Sequence, residues 1–219
     1  MRELDKANTK NLVVLAQPKR EGFNRAIANA AAAALSNVQS SDEQDGRVEM
    51  IDLYADGFNP VMPAEELPRK FSFDERTLHY QEAVRTADRL VFVHPDWWGG
   101  PPAIMKGFLD RVFRPGVAYG FHEADFRDAD APGLFSGKRA DIFMTTDALP
   151  PEEGKTELSW APALVWKQNV MEFCGLTDVH VHVFWNLRGS TYAERKAWLD
   201  QAGERLALPV NSQVMQVAG

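Results

Sequence analysis

The segment HPDWWGGPPAIMKG, residues 94–107, joins an apolar run to a helix-like pattern and carries residue types suited to binding a planar ring. Trp97 and Trp98 can offer flat apolar surface. Gly99 and Gly100 leave room for a ring against the backbone, whose amide groups can donate hydrogen bonds to ring heteroatoms. In an ordinary protein, one or both tryptophans would instead seal the core. Two adjacent tryptophans after a strand cannot both point inward, which weakens that alternative.

A second segment, QPKREGFN at residues 17–24, also follows an apolar run and leads into a helix. The first amide groups of a helix lack partners within it and favour an anion such as phosphate. Gly22 allows close approach of the backbone, and Asn24 can cap the helix. Lys19 and Arg20 add positive charge. No P-loop or G-x-G-x-x-G motif occurs, so an ordinary solvated turn is an equal alternative.

A third segment, TTDALPPEEG at residues 145–154, begins at the end of another apolar run. The hydroxyl and amide groups of Thr145 and Thr146 can bind the polar edge of a ring. A strand that simply runs into a polar turn is an equally good interpretation of this segment taken alone.

Other polar patterns have weaker support as sites. His180 and His182 lie on one face of a predicted strand, as a pair of metal ligands would, but no third ligand is evident nearby. We therefore prefer an exposed strand face. The acidic stretch at residues 122–130 resembles a calcium-binding loop only in composition. Cys174 lies in an apolar pattern and is interpreted as a small buried hydrophobic residue. We predict no metal site and assign no catalytic side chain.

Strand and helix patterns alternate along the chain, as in βαβ units with a parallel sheet. Strands are predicted at residues 11–16, 48–53, 89–94, 138–146 and 178–185. Helices are predicted at residues 24–38, 74–86, 103–113, 159–173 and 191–208. Leu78 and Ala83 should face inward, and Gly175 should end the fourth helix. One apolar stripe on the last helix consists of Trp198, Leu199, Ala202 and Leu206.

The character of the strands predicts their order in the sheet. Three of them are continuous apolar runs, as buried parallel strands are, whereas DVHVHVFW alternates and fits a sheet edge. We predict a flavodoxin-like three-layer α/β sandwich, with strand order 2-1-3-4-5 and helices on both faces. In this arrangement a ligand binds outside the carboxyl ends of the strands, at the switch between strands 1 and 3. The three segments above are the loops at those ends, so we expect them to form one site.

The whole chain has 219 residues, 45% hydrophobic and 25% charged, which suits one well-cored domain at residues 11–219. Residues 1–10 are charged and are interpreted as a flexible N-terminal arm without a signal peptide. A net charge of −7 argues against nucleic-acid binding. The sequence lacks an apolar stretch of ~18 residues, which argues against membrane insertion. A single cysteine excludes an internal disulfide, so we expect a cytoplasmic protein.

The chain resembles the flavodoxin-like NAD(P)H:quinone oxidoreductase family. That family includes mammalian quinone reductases, bacterial modulator-of-drug-activity reductases and ancillary flavoproteins of potassium-efflux systems. The similar segments cover most of residues 11–176 and are LVVLAQPKREGFNRAIANAAAAAL, VEMIDLYADGFNPVM, LVFVHPDWWGGPPAIMKGFLDRVFRPGVAYGF, FSGKRADIFMTT and VMEFCGL. The third segment is the most specific, because it combines an aromatic loop with P-A-I-x-K-G, D-R-V-F and A-Y.

The resemblance implies a bound flavin, FAD or FMN, with NAD(P)H as co-substrate. The loops after strands 1, 3 and 4 would bind its phosphate, its ring and the polar ring edge, and an arginine of the last helix would contact the adenosine end of FAD. The implied cofactor-binding residues are Gln17, Phe23, Asn24, Pro95, Asp96, Trp97, Trp98, Gly99, Thr145, Thr146, Asp147 and Arg195. Tyr119 and Phe121 would contact quinone or nicotinamide over the ring.

The chain departs from the family pattern at several of these positions. Gln17 replaces the usual histidine and Gly22 replaces a serine or threonine, so phosphate binding must rely more on amide groups and Asn24. Asp147 stands where a glycine is usual. Its carboxylate would disfavour a negatively charged reduced ring, but it can also accept a hydrogen bond from the ring. The tyrosine–histidine proton relay of the mammalian enzymes has no clear counterpart, so protons would come from water or from Tyr119.

The implied activity is transfer of hydride from NAD(P)H through FAD or FMN to a quinone or similar planar acceptor. The family is generally dimeric, and residues 55–72 and 108–126 are the candidate interfaces of a homodimer whose partner closes the pocket. Two alternatives remain open. One is an ancillary regulatory flavoprotein of a transporter, with little quinone reductase activity. The other is a flavin-free structural relative with another planar ligand.

Overall fold

Five parallel strands form one sheet in a computed structural model that describes residues 9–37, 48–67, 72–120, 133–152 and 154–207. The strands are β1 (Asn11–Leu15), β2 (Val48–Asp52), β3 (Arg89–Pro95), β4 (Arg139–Thr145) and β5 (Asp178–Phe184). Their order across the sheet is β2-β1-β3-β4-β5, which confirms the predicted order. Outside the described residues lie positions 1–8 of the predicted arm, Phe121 and the acidic stretch at 122–130. The division into an arm and one domain stays a prediction.

Helices cover both faces of the sheet. They are α1 (Phe23–Asn37), α2 (Glu75–Thr86), α3 (Ala103–Val112), α4 (Ala161–Leu164), which continues as a π-helix (Val165–Glu172), and α5 (Tyr192–Ala207). Alternate residues of the central strands point to opposite faces, so a strand buried on both faces has a continuous apolar sequence. One face packs against α1 and α5, including the predicted stripe on α5, and the other against α2, α3 and α4. No helix in these ranges is long and apolar enough to cross a membrane.

The fourth helix differs from the regular helix predicted at residues 159–173. It begins as an α-helix at Ala161 and winds as a π-helix over Val165–Glu172. The wider turns bring residues five positions apart close together, and Lys167 and Glu172 form an ion pair of 2.7 Å. The apolar pattern predicts a helix here but does not distinguish α from π winding, which is rare over this length.

The prediction for the buried face of α2 is half right. Ala83 is buried, as expected, but Leu78 is 41% exposed. The rotation of α2 is set by Tyr80, whose ring packs 5.5 Å from Phe58 and 5.8 Å from Phe108 between centroids. A residue two positions from Tyr80 points about 200° away on a helix, so Leu78 faces outward.

β5 lies at the sheet edge, as predicted, but it keeps a less buried face only in its first half. Residues Val181 to Phe184 are all buried, because helices cover both sides of this half. The turn before the strand has Gly175 at a φ of +91°, which confirms the predicted end of the fourth helix. Cys174 is buried beside it, which confirms its interpretation as a small hydrophobic residue.

Five charged or polar side chains meet near the amino end of the sheet. Arg139 and Asp141 form a two-bond ion pair, with Nε–Oδ2 and Nη2–Oδ1 distances of 2.8 and 3.1 Å. His182 bonds to the same carboxylate through Nε2 at 3.1 Å, and its Nδ1 accepts from Arg205 Nη1 at 2.8 Å. Arg89 Nε lies 3.9 Å from the carboxylate. We call these five residues the amino-end network.

The amino-end network fixes the last turn of α5. Arg89 Nη1 donates to the Leu206 carbonyl at 2.6 Å, and Arg139 Nη2 donates to the Arg205 carbonyl at 3.3 Å. Sheet side chains thereby satisfy carbonyl groups that a helix end leaves unpaired. The predicted exposed strand face is wrong at His182, which is buried. Within the described ranges, no group of three or more His, Cys, Asp or Glu side chains is arranged to hold a metal ion.

Candidate functional site

The loops that follow β1, β3 and β4 lie at the carboxyl end of the sheet, on either side of the switch between β1 and β3. We call them the carboxyl-end loops; they comprise residues 16–22, 96–102 and 146–152. Most of the residues that the sequence analysis assigned to a cofactor lie in these loops or directly beside them.

Asn24 ties the first and third of these loops together. Its Nδ2 donates to Thr145 Oγ1 at 2.9 Å and to Gln17 Oε1 at 3.3 Å. Asn24 and Thr145 are both buried. Their side chains therefore hold the loops in place, and the amide groups at the start of α1 are left as the donors for an anion.

The two departures from the family pattern in the first loop form a single structural adjustment. A Cβ atom on Gly22 would lie 2.8 Å from Gln17 Nε2. The Gln17 side chain thus takes up the space that a serine or threonine at position 22 would need. Phe23, the next residue, packs 6.1 Å from Phe184 and 5.9 Å from Trp198 between ring centroids. It anchors the start of α1 to β5 and α5.

The turn at residues 96–100 is open and its backbone is strained. Trp98 has a φ of +59°, which a bulky residue rarely adopts, and Gly99 follows at +76°. Trp98 is fully exposed and Trp97 is 44% exposed, so the alternative that they seal the core is wrong. A Cβ atom on Gly99 or Gly100 would meet no atom within 4 Å. The backbone at Gly99 and Gly100 therefore faces open space.

Asp96 connects this turn to the third loop. Its amide donates to the Thr145 carbonyl at 2.7 Å, and its Oδ2 accepts from Thr146 Oγ1 at 3.2 Å. The Thr146 hydroxyl also accepts from the Ala148 amide at 3.1 Å, so its proton is directed at Asp96. Burial raises the pKa of Asp96, while the bond from Thr146 and the nearby amides of Gly100 and Gly99 act in the opposite direction.

Asp147 is exposed and paired with a residue that sequence reasoning missed. The Arg188 amide donates to Asp147 Oδ1 at 2.9 Å, and Arg188 Nη2 lies 3.0 Å from Oδ2. Arg188 comes from the turn after β5, and no motif in the sequence marks it. The pairing turns the Asp147 carboxylate toward a cation and offsets its charge.

The sequence analysis also did not assign His94, at the end of β3, to the site. A polar residue at the end of an apolar strand could have indicated it. His94 is fully buried, and burial lowers its pKa to about 4, so the imidazole is neutral. Nδ1 lies 2.8 Å from the Pro95 carbonyl, which can only accept, so Nδ1 carries the proton. Nε2 is then an acceptor, and it has no partner among the described residues. The ring stacks on Trp166 with centroids 5.4 Å apart.

Arg195 lies in the first turn of α5, beyond the carboxyl end of β5. Its Nη2 donates to the Ser190 carbonyl at 3.0 Å and its Nε to the Thr191 carbonyl at 3.3 Å. Thr191 and Glu194 form a capping box, in which each side chain accepts from the backbone amide of the other. In a single copy, Arg195 therefore secures the start of α5.

Tyr119 lies at the other end of the sheet from the carboxyl-end loops. Its ring packs 5.3 Å from that of Phe173, and its backbone pairs with Gly133. Phe173 precedes the first residue of β5, Asp178, by five positions. A seven-residue strand spans about 23 Å, so the structure does not bring Tyr119 to the loops of its own chain. Burial raises the pKa of Tyr119, which keeps its phenol protonated.

The sheet order and the open turn at its switch point define a flavodoxin-like α/β protein. A family model described as "Flavodoxin-like fold" matches residues 9–207, and the chain belongs to that family. The family resemblance seen in the sequence is thus confirmed.

Relatives and solved structures agree with this assignment. An "Uncharacterized NAD(P)H oxidoreductase" of Haemophilus influenzae is 29% identical over 89% of this chain and 93% of its own. "NAD(P)H dehydrogenase (quinone) 1" of Cavia porcellus is 32% identical over 62% of this chain and 52% of its own. The solved NAD(P)H:quinone oxidoreductase from Methanothermobacter marburgensis shares the fold, with a TM-score of 0.74 and 22% identity over 92% of this chain and 98% of that one.

Proposed function

We propose that this chain is a flavin-dependent NAD(P)H oxidoreductase that passes hydride from NAD(P)H through FAD or FMN to a quinone or similar planar acceptor. The observation that carries the proposal is the turn at residues 96–100, where bare backbone at Gly99 and Gly100 lies beside two exposed tryptophans. Backbone strain of the kind seen at Trp98 clusters at ligand-binding sites. Relatives named as NAD(P)H oxidoreductase and quinone-type NAD(P)H dehydrogenase support the class of reaction.

The residues present fit a flavin. The open backbone at Gly99 and Gly100 suits a flat ring, and the amide groups at the start of α1, beside Gln17, suit a phosphate. When bound, the flavin accepts hydride from reduced nicotinamide and passes it to the acceptor. Because the Asn24, Thr145 and Thr146 side chains bond to protein partners, these residues would act mainly by fixing the loops.

The other assigned residues have supporting roles in this proposal. Phe23 fixes the start of α1, and Asp147 with Arg188 borders the third loop. Arg195 would contact the adenosine end if the flavin is FAD. His94, a neutral imidazole, holds the Pro95 carbonyl and thereby the start of the turn.

The proposal includes a homodimer in the cytoplasm. Tyr119 lies at the amino end of its own sheet, so it would reach a ring only in the pocket of a second copy. There Tyr119 and Phe121 would contact the quinone or nicotinamide. Tyr119 retains a proton that it can share with the acceptor, and water is the other proton source.

The first experiment is to purify the protein, record its visible spectrum and identify any released flavin by chromatography. We expect a yellow protein whose flavin is bleached anaerobically by NADH or NADPH and regains its colour when quinone is added. A colourless protein that cannot be reconstituted with FAD or FMN would exclude the proposal and favour a flavin-free relative. Bound flavin with very poor quinone turnover would favour a regulatory flavoprotein.

A matched pair of variants tests where the ring lies. Gly100→Val adds a side chain into the open space over the turn, so it should leave the fold intact and weaken flavin binding at least tenfold. Ala103→Val adds a similar side chain at an exposed position three residues later and should bind flavin as the wild type does. Equal flavin dissociation constants for the two variants, measured by fluorescence quenching, would argue against this position for the ring.

A further inference from the structure

The carboxyl-end loops carry four carboxylates, Glu21, Asp96, Asp147 and Glu152, and only Asp96 is partly buried. Asp147 is exposed and forms an ion pair with Arg188. Asp96 is partly buried; its Oδ2 accepts from the Thr146 hydroxyl, and its buried Oδ1 has no hydrogen-bond partner among the described residues. In the part of the chain that the structure describes, Asp96 forms no ion pair. Among these four groups, the partly buried negative charge that lacks a cation is therefore at Asp96, not at Asp147.

The position of Asp96 brings this charge close to the proposed ring site. Its backbone forms the first residue of the open turn, and the bond from Thr146 holds its side chain on that turn, near the amides of Gly99 and Gly100. None of these three groups can titrate or carry a compensating positive charge. His94, two residues earlier, is neutral and directed to Pro95.

We propose that Asp96 sets the reduction potential of the flavin by disfavouring the reduced form. This inference rests on the proposed function. Hydride carries two electrons and one proton, so the ring gains one negative charge when NAD(P)H becomes NAD(P)+. A nearby carboxylate without a cation opposes that gain, because like charges repel most strongly where solvent screens them least. Protein charge beside a cofactor ring is a general means of tuning its electronics.

We expect Asp147 to have a smaller effect on the reduction potential of the flavin. Its carboxylate and the Arg188 guanidinium together carry no net charge, and both groups are exposed to solvent. The sequence analysis expected Asp147 to disfavour the reduced ring. In the structure we expect this effect from Asp96 instead.

The test is the midpoint potential of the reconstituted holoprotein at pH 7, measured by equilibration with a reference dye. Asp96→Asn keeps the shape of the side chain and its acceptor for Thr146 but removes the charge. We expect it to strengthen the binding of reduced flavin relative to oxidised flavin by at least tenfold. For a two-electron couple, that ratio corresponds to a potential about 30 mV more positive.

Two control variants separate a local effect from a general one. Glu82→Gln on α2 makes the same change in net charge at an exposed position and should leave the potential unchanged. The double variant Asp147→Asn/Arg188→Gln removes a carboxylate together with its cation and should also leave the potential unchanged. A potential that is unchanged or more negative in Asp96→Asn would overturn this inference while leaving the flavin-dependent function standing. A wild-type protein that binds no flavin would overturn both.

A measurement on the wild-type holoprotein keeps the inference testable if Asp96→Asn does not fold. Coupling between two sites is reciprocal, so a carboxylate that opposes flavin reduction must itself bind a proton more tightly once the flavin is reduced. Carboxyl carbon NMR should show the pKa of Asp96 about one unit higher in the reduced protein, which corresponds to the same tenfold factor. An Asp96 pKa that is the same in both redox states would contradict the proposal.

Discussion

The two ends of the sheet are built in opposite ways. In the amino-end network, Asp141 accepts from Arg139 and His182, and the arginines go on to close the last turn of α5. The carboxyl end instead has a bare acceptor on His94, at the end of β3, and a carboxylate, Asp96, with no cation among the described residues. The carboxyl-end loops also hold a strained, fully exposed tryptophan, Trp98.

The difference fits a stabilising role for the amino end and the ligand-binding role that we propose for the carboxyl end. Buried charges are tolerated when they are paired and hydrogen-bonded, as they are at the amino end. Open backbone, strain and unmatched polar groups all cost stability, and a fold retains them where something else is to be bound. Among the described residues, the carboxyl-end loops combine open backbone at Gly99 and Gly100, a positive φ at Trp98 and a buried Asp96 Oδ1 without a hydrogen-bond partner.

Removing the central charge of the amino-end network should have the largest effect. Burial alone would raise the pKa of Asp141, but its bonds to His182 and Arg139 lower it far below its ordinary value. Asp141→Asn would leave Arg139 and Arg89 buried without their counter-charge. We expect the free energy of unfolding in urea to fall by about 3–5 kcal/mol.

An exposed ion pair provides the control for this variant. Asp200→Asn breaks a bond to Lys196 at the surface of α5 and should cost less than about 1 kcal/mol. If Asp141→Asn lowered the free energy of unfolding no more than Asp200→Asn, the amino-end network would not have the stabilising role inferred for it.

At the carboxyl end, His94 should make the protein sensitive to acid. Its pKa is 6.5 in an ordinary setting and about 4 in the fold. Between these values the unfolded chain binds a proton that the folded protein does not, so stability is present above pH 6.5 and is lost as the pH falls toward 4. At about 1.4 kcal/mol per pKa unit, the loss attributable to His94 is about 3 kcal/mol.

Urea unfolding at a series of pH values checks this prediction. His94→Gln keeps a side-chain donor for the Pro95 carbonyl but cannot titrate, so its stability should depend less on pH between 6.5 and 4. Burial also lowers the pKa of His182, and that group contributes to the pH dependence of both proteins. His79→Gln, at an exposed position, serves as the control. Parallel pH profiles for wild type and His94→Gln would show that His94 is not held neutral.

The smallest effect should come from relieving strain at Trp98. Asparagine adopts positive φ more readily than tryptophan, and the exposed Trp98 side chain has little packing to lose. Trp98→Asn should therefore raise the thermal stability of the flavin-free protein by about 1 kcal/mol. The neighbouring Trp97→Asn, at a position without positive φ and with a half-buried ring, should lower it. If both variants were less stable than the wild type, the positive φ of Trp98 would not be a source of strain.

The sequence predicted the framework well, because the framework depends on local pattern. Continuous apolar runs and alternating helices were sufficient for the sheet order 2-1-3-4-5 and for placing the three loops at one end. The errors have identifiable causes. Leu78 fits an inward pattern, but the packing of Tyr80 rotates α2, and the fourth helix has a helical pattern without an indication of π winding.

The side-chain arrangement at the site could be predicted only in part. Residue types placed Asn24, Asp96 and Thr146 in the right region, but which groups bond to each other depends on contacts between distant parts of the chain. The pairing of Asp147 with Arg188 is one example, across 41 residues. The bond between His182 and Asp141 is another, since nothing near either residue in sequence marks the other.

The π-helix connects contacts at the two ends of the sheet. Near its start, Trp166 stacks on His94 beneath the carboxyl-end loops, and just after its end Phe173 packs on Tyr119. Rewinding the Val165–Glu172 segment as an α-helix would rotate one of these contacts relative to the other. A single deletion at the exposed Gln168 would thus change both contacts.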